Sequence, residues 1–453
     1  MRISTLLLLT SAFAIPEASA YYGRHSTEAQ LLFEATADVV LAGSPTVAML
    51  NGQGGAHDAA LARVDEQIQH LMGTFQSESF KSKFPFPGVL GEYHQIRFMK
   101  IEDGSAEGRK LLTYRYSGKV VFKKEAFRAN DVRMVPINLP LAPDLIYALG
   151  VKGDKNLCTD EHYNSEGDFW YFWDPDMDGC PLSGDTRNIV RITGKLTRLE
   201  NTKLTYPDYE KLYGNNGNGA NFDIAVFFGY IDEVENLRMH NRRDDGAKAM
   251  RFLEAELKNQ GFELVEKKNA FREYRNGRVV EGINYLRRYQ RHVSKFGHDV
   301  TVRVQILLGD TMIGSKDETF HRYLMPAFRD ADVVVYDGHS GLGGNLDLGS
   351  LPDIEFRADK YQLFFFNGCS SYPYFNGSFF KAKGGSENLQ IVTSGLPTIT
   401  DSAGPNAVTF IQGFLDGKTL SFQTMLSRLE VSNGDNGTYL TGVNGDESSS
   451  WHP

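Results

Sequence analysis

Five short, almost wholly apolar runs in the second half of the chain constrain its fold more than any other feature. They are DIAVFFG (223–229), VTVRVQILLG (300–309), ADVVVYD (331–337), YQLFFFNG (361–368) and LQIVTSG (389–395). A strand with one wet face alternates apolar and polar residues, whereas a strand covered on both faces reads as a continuous apolar run. Helical segments separate these runs, which predicts an α/β domain with a mostly parallel sheet flanked by helices. DDGAKAMRFLEAELKNQG is such a helix, with Asp244 or Asp245 as its cap and Gly261 as its terminator. ETFHRYLMPAFRDA (318–331) predicts a second helix, interrupted by Pro326, and a third is expected from Pro405 to Leu415.

The first half follows different periods. Leu61, Val64, Ile68 and Leu71 share one side of a helix expected over 56–75. HQIRFMKI (94–101), KLLTYRYSGKVVFKKE (110–125) and RNIVRITGKLTRLE (187–200) alternate as half-buried strands do, while residues 24–50 carry a mixed pattern. This predicts an α+β amino-terminal domain over 21–215. The glycine- and asparagine-rich stretch Tyr213–Ala220 marks the boundary to an α/β domain over 216–453. Two domains suit a chain of 453 residues.

Arg2, the apolar run that follows it and the small-residue ending Ala18-Ser19-Ala20 read as a signal peptide over 1–20, cleaved before Tyr21. The mature protein is then exported, to the periplasm or the medium. No later run reaches the roughly 18 apolar residues of a membrane-spanning helix, so no membrane insertion is expected. Lys and Arg number 48 against 57 Asp and Glu, a net charge of −9, and no basic block occurs, which argues against nucleic-acid partners. Export also gives the three cysteines their meaning, because disulfides persist in oxidising compartments. Cys158 and Cys180 lie 22 positions apart and form the natural pair, leaving Cys369 as a free thiol.

Two of the apolar runs end in reactive side chains. ADVVVYD leads into Gly338-His339-Ser340, and YQLFFFN leads into Gly368-Cys369-Ser370-Ser371. In parallel sheets ligand sites form beyond the carboxyl ends of the strands. His339 and Cys369 therefore fall on one edge, where an imidazole can take a thiol proton and the Ser340 and Cys369 amides can face a developing oxyanion.

This pattern resembles the caspase, gingipain, legumain and separase group of cysteine peptidases, with Tyr336-Asp-Gly-His339 and Gly368-Cys369-Ser-Ser371 most similar to the separase and gingipain versions. The resemblance covers about residues 221–430. It implies a caspase-like fold, a secreted endopeptidase with a His339–Cys369 dyad, protein or peptide substrates cleaved after a particular P1 residue, and no cofactor for the chemistry. Many members place glycine directly after the histidine, where this chain has Ser340, whose amide can serve the same oxyanion. The amino-terminal domain is expected to be an accessory or pro-region.

Three further patterns give separate expectations. Asp174, Asp176 and Asp178, followed by Gly179 and with Asp185 at the twelfth position, reproduce the oxygen spacing of a calcium loop, which suggests structural Ca2+. Its alternative is an acidic turn stapled by Cys158–Cys180, and a zinc site from Cys158, His162 and Cys180 is a more distant one. GHSGLGG resembles the G-x-S-x-G elbow of serine α/β-hydrolases, but out of frame and with only His452 following it. In the loop after the first run, Asp232 or Glu233 would select a basic P1 residue and Arg238, Arg242 or Arg243 an acidic one, and none is assigned. A catalytically inactive exported binding protein on the same fold is the alternative to the peptidase.

Overall fold

A computed structural model describes residues 21–453 apart from 201–202, 215–219, 232–243, 272–273, 276–277, 280–282, 296, 312–317, 349–354, 416–418 and 433–438. The expected leader, residues 1–20, lies outside the described residues. The chain starts with Tyr21–Tyr22 (β1), followed by Ser26–Val40 (β2), Gly88–Asp103 (β3), Arg109–Lys123 (β4), Val132–Pro140 (β5) and Ile189–Arg198 (β6). Strands β2 to β6 form an antiparallel sheet in the order β3-β4-β2-β6-β5. Helices Gly55–Ile68 (α1) and His70–Gln76 (α2) bury Val64, Ile68, Leu71 and Phe75 in a core shared with Leu31, Phe33, Tyr114 and Tyr116.

The mixed segment 24–50 thus contains a 15-residue central strand, β2. Its inward positions include Ala29, Ala35 and Ala37, which give little hydrophobic contrast, and its Ala and Glu content favours helix when read locally. Pairing with β4 along its whole length overrides that preference.

The apolar runs build the middle of a nine-stranded sheet. Its remaining strands are Asn221–Gly229 (β7), Glu263–Phe271 (β8), Asn284–Lys295 (β9), His298–Gly309 (β10), Val333–Asp337 (β11), Gln362–Phe366 (β12), Leu389–Thr393 (β13) and Gly442–Asn444 (β14). The order is β1-β14-β13-β12-β11-β7-β10-β9-β8. The five strands from β13 to β10 are parallel, and antiparallel strands extend both ends. Helices Asp245–Asn259 (α3), Ala403–Leu415 and Phe422–Ser432 cover one face, packing on Ile224, Val226, Val335 and Phe365. Glu318–Asp330 and Tyr372–Lys383 cover the other, over Phe227, Val334, Phe364 and Phe366. Neighbouring residues of one strand point to opposite cores, which is why these runs show no alternation. The Asp244 carboxylate accepts from the Ala247 amide at 2.8 Å and caps α3.

Two features depart from the sequence reading. The strands β8 and β9 were not foreshadowed by an apolar run, because β8 (ELVEKKNAF) is an exposed edge with almost no buried face. And Tyr21–Tyr22 pairs with β14, so the first residues after the expected leader belong to the large sheet rather than to the amino-terminal unit. No helix among the described residues is long and apolar enough to cross a membrane.

Cys158 and Cys180 are joined, with their Cα atoms 4.7 Å apart, and both sit in a small core with Phe169, Trp173 and Leu182. Between them GDFWYFW, strand-like in sequence, forms a tight 3-10 turn over Phe169–Phe172. A Cβ on Gly73 of α2 would overlap the Trp173 amide, so a glycine is what lets this turn lie against the helix. Closing a loop of this length restricts the unfolded chain, and the Cys158→Ala/Cys180→Ala protein is expected to lose on the order of 3 kcal/mol in urea unfolding.

Candidate active site

Strands β11 and β12 pair in parallel with a constant offset of thirty residues, ending at Tyr336 against Phe366. The offset continues past the strands. The Asn367 amide donates to the Tyr336 carbonyl at 2.9 Å, the Asn367 side-chain NH2 donates to Asp337 Oδ2 at 2.5 Å, and a Cβ on Gly368 would lie 3.0 Å from the Gly338 carbonyl. The next position of each strand is His339 and Cys369. Each is the one residue not buried in its ten-residue stretch, 331–340 or 361–370. The structure therefore places the histidine and the cysteine named from the sequence just past the ends of two adjacent strands, on the carboxyl edge of the sheet.

Glycine is required here by close approach. Gly229, Gly338 and Gly368 end three neighbouring strands, and a Cβ on Gly338 would stand 3.2 Å from Gly229 Cα. The His339 carbonyl is fixed by the Tyr336 hydroxyl and the Asn345 side-chain amide, each donating at 2.5 Å. His339 Nε2 lies 3.1 Å from the Ile231 carbonyl. A carbonyl only accepts, so Nε2 donates, and in the neutral ring the lone pair falls on Nδ1. The Ile231 amide is in turn bound to Asp244 Oδ2 at 3.0 Å, which ties the imidazole to the cap of α3.

The Cys369 thiol lies 3.8 Å from the Thr398 carbonyl and 3.9 Å from the Thr398 hydroxyl, in the loop that follows β13. Among the described residues no hydrogen bond joins Cys369 to His339. The amides of Ser340 and Cys369, the expected oxyanion donors, have no acceptor among the described residues, although Ser340 itself is buried. Ser371 is fully buried and donates from Oγ to the Phe366 carbonyl at 2.6 Å, fixing the turn behind the cysteine.

The disulfide-closed turn of the amino-terminal unit reaches this edge. The buried Tyr171 hydroxyl donates to Ser370 Oγ at 2.7 Å, and Tyr163 lies against Tyr171 with ring centroids 4.8 Å apart. Burial, and after it the proximity of Cys369, pushes the Tyr163 phenol above its ordinary value.

Other candidates are placed elsewhere. Asp176 is paired with Arg191 at 2.6 Å and accepts from Asn138, Asp174 accepts from the Ser79 and Asp176 amides, and Asp185 accepts from the Arg187 and Asn188 amides. The carboxylates of Asp174, Asp176 and Asp185 are thus each engaged by separate protein donors. No cluster of three or more His, Cys, Asp or Glu suited to a metal occurs among the described residues. The zinc alternative fails on its ligands, since both cysteines are in the disulfide and His162 pairs with Asp160. His452 rests against Tyr206, with no contact to Ser340 among the described residues. Asp232, Glu233, Arg238, Arg242 and Arg243 lie outside the described residues.

The sequence reading missed Ile231, Thr398, Tyr163 and Tyr171. A carbonyl contact leaves no residue signature. The aromatic run 169–173 was visible, and its position inside the Cys158–Cys180 loop was the signal that it is pinned rather than free. No family model matches the chain, and a search of curated proteins finds no match.

Asp337 is buried between the strand ends, and burial pushes its carboxyl up to about 7 even though Asn367 donates to it. The folded protein therefore holds a proton that the unfolded chain releases near pH 4. Stability contributed by this group is greatest below that pH, falls as pH rises towards 7 and stays low above it. Asp337→Asn is expected to match wild type near pH 4 and to exceed it at pH 8 by on the order of 4 kcal/mol, at about 1.4 kcal/mol per pKa unit, in denaturant unfolding at the two pH values.

Proposed function

We propose that this protein is a cysteine endopeptidase with a caspase-like fold, acting on protein or peptide substrates outside the cytoplasm. The observation that carries this reading is the thirty-residue register between β11 and β12, past whose ends His339 and Cys369 follow as the two half-buried residues beyond two buried strands. A histidine with its lone pair on Nδ1 and a free thiol on the neighbouring strand have the composition of a nucleophile and base pair.

In this mechanism the Cys369 proton passes to His339 Nδ1, and the sulfur forms a bond to the scissile carbonyl carbon. The carbonyl π electrons move onto its oxygen, which the Ser340 and Cys369 amides face. As the carbon–nitrogen bond breaks, His339 returns the proton to the leaving amine and a thioester remains. Water then attacks the thioester with Nδ1 taking its proton, and the carboxylic acid leaves as Cys369 recovers its hydrogen. Substrate enters between the thiol and the imidazole, which is consistent with two groups that are neighbours without a bond between them. The chemistry uses no cofactor.

The absence of a direct Cys369–His339 hydrogen bond among the described residues favours one other reading, an inactive exported binding protein that keeps this fold. The two are separated by labelling reduced residue 21–453 protein with a mixture of peptidyl acyloxymethyl ketones varied at P1. The peptidase should be labelled at Cys369, with the rate falling at least 100-fold in His339→Ala and to nothing in Cys369→Ala. Equal rates for wild type and His339→Ala would leave only an accessible thiol and favour the binding protein.

A further inference from the structure

We infer that the amino-terminal unit is a permanent clamp on the two reactive loops, with Tyr171 as a positioning residue for the turn that carries Cys369; its catalytic consequence rests on the peptidase reading above. Four non-glycine residues among those described have a positive φ: Ala270 at 49°, Leu342 at 53°, Ser370 at 47° and Leu440 at 50°. A residue with a Cβ meets a steric penalty there, so such a conformation persists where its surroundings hold it. Ser370 directly follows the cysteine, and Leu342 lies three residues beyond the histidine.

What holds them is the amino-terminal unit. Ser370 Oγ accepts the buried bond from Tyr171, a residue of the disulfide-closed turn. Leu342 packs on the core of the amino-terminal sheet, as does Tyr374 from the helix behind Cys369. Leu440 shares a small core with Val89 of β3, Val121 of β4, Tyr372 and Leu396, and the Ser370 amide donates to the Leu396 carbonyl at 3.3 Å. Three of the four strained positions therefore abut the same unit, on both sides of the reactive pair.

A pro-region that leaves on activation would take these supports with it. It would also take β1, which is an edge strand of the large sheet. The working form is accordingly the intact chain from residue 21, and the unit acts by aiming the loops rather than by silencing them.

Tyr171→Phe removes one hydroxyl and keeps the buried ring, and Leu342→Ala loosens the histidine side. Amide hydrogen exchange of the intact protein is expected to quicken at least tenfold over 367–375 in Tyr171→Phe and over 338–346 in Leu342→Ala, with the distal strands β8 and β9 unchanged. For the acyloxymethyl ketone that labels wild type best, the maximal inactivation rate of Tyr171→Phe should fall about tenfold while half-saturation moves less than twofold. Adding Ser370→Gly to Tyr171→Phe should restore most of that rate, because glycine takes a positive φ without a Cβ penalty. Unchanged exchange in both loops would overturn the clamp whatever the label does, and a uniform rise across the chain would assign Tyr171 a merely structural role. Should wild type not be labelled at all, the peptidase reading falls, and the exchange pattern alone decides the clamp.

Discussion

The register between β11 and β12 is the constraint on which the rest of the site depends. It is pinned by polar pairs at both ends. Where the strands begin, Lys360 Nζ meets Asp332 Oδ1 at 2.6 Å with neither side chain exposed, and where they end, Asn367 meets Asp337. Between these points every residue of both strands is buried. A slip of one residue would turn the strand's faces over, and a slip of two would leave a buried charge without its partner, which costs several kcal/mol. Hydrophobic burial supplies cohesion here but little discrimination among registers, since Val, Leu and Phe are interchangeable to first order. The polar ends supply the discrimination, and with it the places where the loops of His339 and Cys369 leave the sheet.

That rigidity ends where the strands end, and a second device begins. Reactive side chains must project from loops, and loops carry too few contacts of their own to hold a strained backbone. Here the support comes from a separate core. The turn over Phe169–Phe172 is held by the disulfide, by the close approach of Gly73 and by its own aromatic packing, and it presents Tyr171 to Ser370. The Asp337 carboxyl belongs to the same economy of buried polar groups. Its proton is retained because the register that it helps to fix also keeps water away from it.

Much of the large sheet was legible, for a physical reason. Strands buried on both faces leave continuous apolar runs, and all five central strands appeared as such, together with the helix between the first two. Two other strands were not legible: the edge strand β8 is exposed and polar, and the central strand β2 places alanine at inward positions. Of the candidate site, His339 and Cys369 could be named because side-chain chemistry is written in residue identity. Ile231 and Thr398 were not, because a carbonyl's role depends on where the backbone runs. The acidic spacing at 174–185 shows the converse, since one-dimensional spacing fixes the order of carboxylates but not the direction in which the chain aims them. Arg191 and Asn138, distant in sequence, decide that direction.

The sequence of events that completes the site follows from where its parts lie. A disulfide forms in an oxidising compartment, and the chain begins with a leader pattern that predicts one. Until Cys158 and Cys180 join, the segment that bears Tyr163 and Tyr171 is a loop with no covalent closure, and the entropy of that loop opposes docking against Ser370. The edge strand β1 adds a second support, because Tyr21–Tyr22 pairs with β14 at the edge of the large sheet. The covalent staple thus acts on the loop of Cys369 through Tyr171, and the first strand on the edge of the sheet from which that loop emerges. The position of Cys369 thus depends on two separate supports, the central strands that fix where its loop begins and the disulfide-closed turn that holds Ser370 beside it.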